Sequence, residues 1–120
     1  MEKYLLIPVK GDPKIVELDE TILLHEFQTL VQGHIETVPF PRSKELIMIV
    51  NEEGLINDML FNQRASQLLN HSLFGPAVVA GIGLRDGEPD MVGLSEHMCN
   101  TLQMLMGIQD GMAKRNKKSP

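Results

Sequence analysis

Apolar residues fall in short blocks along this chain, and the first two are KYLLIPV (3–9) and KIVEL (14–18), separated by Lys10-Gly11-Asp12-Pro13. Gly, Asp and Pro together are turn chemistry, so the chain is predicted to open as strand, turn, strand. Asp19, Glu20 and Thr21 then offer caps for LLHEFQTLVQG, where Leu23, Phe27, Leu30 and Val31 recur at helical spacing. Gly33 follows as a helix stop.

HIETVPF (34–40) alternates imperfectly, and Pro39 and Pro41 place it at the edge of a sheet or at its own end. ELIMIV (45–50) is a continuous apolar run, the pattern of a central strand covered on both faces, or on one face and by a partner. PAVVAGIGL (76–84) is a third strand signal, and RDGEPD (85–90) reads as its turn. NDMLFNQRASQLLNHSLF (57–74) is ambiguous in period and is assigned a loop with a short helix. In LSEHMCNTLQMLMGI, Ser95 can cap a helix whose stripe is Leu94, Met98, Leu102, Leu105 and Met106.

These elements predict one small α+β domain over residues 1–112: a mixed, mainly antiparallel sheet with ELIMIV central, covered by the helices LLHEFQTLVQ and SEHMCNTLQMLM. The chain has 120 residues, a common size for one domain with a single core. That core is aliphatic, because there is no Trp, one Tyr and four Phe, while eight Met add adaptable volume. The apolar stripe of the last helix exceeds what a two-layer domain needs, so it is also the expected interface of a two-fold homodimer.

Charge narrows the partners. The net charge is −5, yet Lys114, Arg115, Lys117 and Lys118 lie in the last segment, leaving −9 on residues 1–113. An acidic body repels duplex phosphate, so direct nucleic-acid binding by the folded part is not expected. Residues 113–120 are expected to form a disordered basic tail. The single Cys99 suits a reducing compartment. YLLIPV is short for a signal-peptide core, and no apolar run approaches the ~20 residues of a membrane span. The expected location is the cytoplasm, where the sequon Asn70-His71-Ser72 has no meaning.

Candidate chemistry is sparse. His25, His34, His71, His97 and Cys99 show no zinc-motif spacing, and residues 97 and 99 point to different faces of a helix. No metal or cofactor is expected. Gly81-Ile82-Gly83 lacks the third glycine of a dinucleotide fingerprint, and a turn follows where a helix is required. Ser66, Ser72, Ser95 and Cys99 sit in no nucleophile-elbow motif. Glu52 and Glu53 are adjacent, so on a strand they face opposite ways and do not converge as an acid–base pair. Asn51-Glu52-Glu53-Gly54 instead fits a type I turn ending the ELIMIV strand. Arg64, flanked by the amides Asn62 and Gln63, reads either as a structural anchor for main-chain carbonyls or a carboxylate such as Glu53 or Asp58, or as a ligand contact. Asn51, Glu52, Glu53 and Arg64 are therefore the candidate ligand-binding residues.

LVQGHIETV (30–38), IVNEEG (49–54), GPAVVAG (75–81) and GLSEHM (93–98), in that order and spacing, resemble the family of the domain of unknown function numbered 3846. The resemblance covers residues 4 to about 98. Gly33 with Ile35-Glu36 and the Asn51–Gly54 turn are its most specific pieces. Where that family tends to have Leu-Pro and then Asn-Arg, this chain has Leu60-Phe61 and then Gln63-Arg64. The resemblance implies a small cytosolic accessory protein of bacteria, phages or mobile elements, and it implies no reaction. Two classes of function follow. One is a binding protein that sequesters a host protein or a small nucleotide signal without catalysis. The other is a small enzyme or sensor for a phosphorylated metabolite, using Arg64 and the Asn51–Gly54 turn.

Overall fold

Six strands form one open sheet in the computed structural model of the chain, which describes residues 1–108. In chain order the elements are β1 (Glu2–Ile7), β2 (Lys14–Leu18), α1 (Leu23–Val31), β3 (Ile35–Pro39), β4 (Leu46–Asn51), α2 (Gln63–Leu69), β5 (Ala77–Arg85), β6 (Glu88–Val92) and α3 (Glu96–Gln103). A π-helical stretch, Met104–Ile108, continues α3. The strand order is β2-β1-β5-β4-β3, with β6 also paired to β5, and every pairing among the described residues is antiparallel. The protein is thus a small α+β domain with a mainly antiparallel sheet. The basic segment 113–120 lies outside the described residues.

The period-two alternation of strands sends successive side chains to opposite faces, and both faces are covered. Tyr4, Ile49, Val78 and Ala80 meet Phe27 and Val31 of α1 on one face. Tyr4 and Phe27 pack edge to face, with ring centroids 5.2 Å apart. On the other face Leu5, Ile7, Met48, Val50, Ala77 and Val79 meet α2 and α3. Double cover is why ELIMIV and PAVVA read as unbroken apolar runs.

Local signals end the elements where chemistry demands. Asp19 accepts from the amide and hydroxyl of Thr21, at 2.9 and 2.6 Å, before a 3-10 turn at Glu20–Ile22. Those bonds, the hydroxyl first, lower the Asp19 carboxyl below its usual range. Ser95 accepts from the amide of Met98 at 3.0 Å and caps α3. Pro39 closes β3 at the sheet edge, where its missing N–H leaves no ladder bond broken.

Three features differ from expectation. β4 is interior, but the middle of the sheet is β5, whose start pairs with β1 and whose end pairs with β6 along the same edge. RDGEPD is not all turn: Asp86 and Gly87, with φ of 54° and 82°, make a two-residue hairpin connection, and EPDMV is the strand β6. Positive φ at both central residues is what an Asp-Gly hairpin turn requires. Finally, three helices cover the sheet, because α2 within residues 57–74 also lies on it.

Candidate functional site

Asn51 is the most thoroughly bonded of the candidate residues. Its side-chain nitrogen donates to the carbonyls of Val31 and Gln32, at 3.0 and 3.2 Å, and its side-chain oxygen accepts from the amide of Glu53 at 2.8 Å. Gln32 is left-handed at φ 66°, so α1 has ended and its last carbonyls need donors. Asn51 supplies them. Gly33 makes the approach possible, because a Cβ there would lie 2.7 Å from the Asn51 nitrogen. The Gly54 amide bonds the Asn51 carbonyl at 3.3 Å, closing the predicted turn, and a Cβ on Gly54 would meet the Phe74 carbonyl at 2.7 Å. Asn51, Glu52 and Gly54 line a hollow of about 140 Å³ together with Glu36, His71 and Ser72.

Arg64 stands elsewhere in the fold. It occupies the first turn of α2 and donates to the Gly11 carbonyl and, at 3.2 Å, to the Asp12 carboxylate. These groups belong to the β1–β2 turn, and Arg64 is not among the residues lining the hollow at the Asn51 turn. Beside it, Asn62 is fully buried: it caps α2 by accepting from Ala65 at 3.1 Å and donates to the carbonyls of Ile7 and Gly75, both at 2.9 Å. One side chain thereby joins β1, α2 and the segment that leads into β5. The neighbouring amides noted in the sequence are cap and core chemistry here, which composition alone does not reveal.

The apolar stripe of the last helix divides. Leu94, Leu102 and Met106 are buried in the core and Met98 packs against it, while Leu105 is 49% exposed beside the exposed Met104. Cys99 is buried on the same face, and burial pushes its thiol up. Among the described residues no group of three or more His, Cys, Asp and Glu side chains is arranged for a metal ion.

A cluster without a sequence signal joins the start of β1 to the β5–β6 hairpin. Arg85 grips Glu2 with both terminal nitrogens at 2.8 Å, donates to Asp90 at 3.1 Å and to the Met91 carbonyl at 2.8 Å. Tyr4 donates its hydroxyl to Glu2 at 2.7 Å. The Arg85 guanidinium holds the Glu2 carboxyl down at about 2, while burial and the Glu2 carboxylate push the Tyr4 phenol above its ordinary value. Residues so far apart in the chain leave no local pattern to read.

A cleft of about 580 Å³ lies between the β3–β4 connection and the end of α2. Phe40, Leu68 and Leu69 supply its apolar lining, and Arg42, Gln67 and Asn70 its polar one. Among the described residues Arg42 makes no hydrogen bond or ion pair, unlike Arg64 and Arg85. Sequence reasoning passed over Arg42 because a Pro-Arg-Ser connection resembles an ordinary solvated loop.

No curated protein and no solved structure matches this chain. The family model described as Domain of unknown function (DUF3846) matches residues 1–107, and its span takes in the whole sheet, all three helices and the cleft, so this chain belongs to that family.

Proposed function

We propose that this protein acts by binding rather than by catalysis, as a small cytoplasmic accessory factor of phage or mobile-element type that captures a small anionic signal, a nucleotide being the fitting class. The observation that carries the reading is Arg42, a guanidinium with no partner among the described residues, at a cleft of small-molecule size. Arg42 offers a planar donor fork suited to phosphate or carboxylate. Asn51 and Arg64, by contrast, spend their donors on main-chain carbonyls and Asp12, which supports a structural role for both. Capture of a host protein is the alternative occupant, and the exposed Leu55, Ile56, Leu60 and Phe61 between β4 and α2 favour it.

Native mass spectrometry of protein purified from cells tests the reading. A phosphate-bearing compound is expected to leave with the native protein, to be lost from Arg42→Ala, and to remain chemically unchanged on prolonged incubation. Consumption of the compound would instead establish an enzyme.

A further inference from the structure

The cleft beside Arg42 is bipolar. Its second wall is the C-terminal end of α2, where Asn70 turns left-handed at φ 52° and the chain leaves the helix. The amides of Asn70 and His71 satisfy the carbonyls of Gln67 and Ser66, at 3.4 and 3.1 Å. The next two carbonyls, those of Leu68 and Leu69, receive no donor among the described residues. A helix end carries partial negative charge and unsatisfied acceptors. The side-chain amides of Gln67 and Asn70 are also without hydrogen-bond partners among the described residues. The cation and these acceptors therefore belong to residues that line one space, together with the half-buried Phe40.

An anion alone does not suit this arrangement, because the α2 end repels it. A purely apolar ligand does not suit it either, since it would bury unpaired acceptors. We infer that the cleft takes a bipolar planar ligand: an anionic group on Arg42, a flat ring against Phe40, and an exocyclic amino group whose two N–H bonds go to acceptors among the Leu68 and Leu69 carbonyls and the side-chain oxygens of Gln67 and Asn70. This is the chemistry of an amino-bearing nucleoside monophosphate. The inference rests on the anion-binding reading above and adds the recognition of the ring.

Titration calorimetry with three probes separates the two. Adenosine monophosphate carries both ends, purine riboside monophosphate lacks only the amino group, and ribose 5-phosphate lacks the ring. The expected order is adenosine monophosphate tightest, purine riboside monophosphate at least tenfold weaker, and ribose 5-phosphate weakest. Arg42→Ala, an exposed side chain without partners whose loss leaves the fold intact, is expected to weaken adenosine monophosphate at least tenfold, and Asn70→Ala to narrow the gap between the two purines. Equal affinity for the two purine monophosphates, both lost in Arg42→Ala, would overturn the amino-group recognition and leave the anion site standing. Absence of binding by all three probes, or binding indifferent to Arg42→Ala, would overturn both readings.

Discussion

The side-chain amide of Asn51 donates to the main-chain carbonyl of Val31 at 3.0 Å, so the last residue of β4 finishes the last turn of α1. Loss of a buried donor–acceptor group of this kind costs about 1–3 kcal/mol. Asn51→Ala is expected to fall in that range by urea unfolding. Asn51→Asp is expected to be worse at neutral pH, because a carboxylate would face the Val31 and Gln32 carbonyls with no proton to give. At acidic pH, where that carboxyl carries a proton, the gap between the two variants should shrink.

Arg64 anchors α2 to the β1–β2 turn through Gly11 and Asp12. Asp12 is largely exposed, so the ion pair itself contributes little, and the bond to the carbonyl dominates. Arg64→Ala is expected to lower stability by about 1–2 kcal/mol. Affinity per folded molecule in the Arg42 cleft should not change. A fall in affinity at unchanged apo stability would return Arg64 to the binding site.

Acid should unfold the protein partly through Glu2. Its folded value of about 2 lies below the ordinary 4.5, so the Arg85 pair stabilises the fold fully above pH 4.5 and the contribution fades as pH falls toward 2. A shift of that size corresponds to at most about 3 kcal/mol, and screening at a pair left partly exposed reduces it to roughly 1–2 kcal/mol. Glu2→Gln is expected to lower the urea midpoint at pH 7 and to flatten its decline between pH 4.5 and 2. A parallel decline in both proteins would assign the acid sensitivity to other carboxyls.

Assembly can be tested without breaking the core. Leu102 is buried, and an aspartate there would leave a charge without a partner, so Leu102→Asp is expected to unfold the chain. Leu105 is half exposed, and Leu105→Asp should fold normally. If the C-terminal helix joins two copies, light scattering at micromolar concentration will show a dimer that Leu105→Asp converts to a monomer.

Cys99 is buried with its thiol pushed up, so native protein is expected to resist a thiol reagent such as iodoacetamide, with labelling appearing only as urea unfolds the chain. Rapid native labelling would mean that α3 opens locally.

What could be read from the chain followed from locality. β4 was legible because a strand covered on both faces writes one unbroken apolar run, and α1 and α3 because each repeats an apolar stripe within a few turns. β6 was not, since Pro89 and Asp90 break an apolar pattern on an edge that needs no second partner there. The turn at Asn51 was legible from Asn and Gly at its ends, whereas Asn51's bond to α1 lies across the fold. Arg64 carried the right residue type for an anchor, but its partners sit in the β1–β2 turn rather than at Glu53 or Asp58. Arg42 and the α2 end become one cleft only after β3, β4 and α2 have been placed.

The central strand governs the order in which this protein can be made. Leu5 pairs with Val79, and Glu2 is gripped by Arg85, so β1, already paired with β2, gains its second partner only when β5 has been made, much later in the chain. At a synthesis rate of roughly 5–20 residues per second, the β1–β2 hairpin waits for seconds with its inner edge open. An unpaired edge is a template for association with other chains, so newborn copies crowded on one messenger are exposed to mispairing during that interval. Slowing translation between β4 and β5 should therefore lower soluble yield, while the completed protein, with β5 in place, should be indifferent to it.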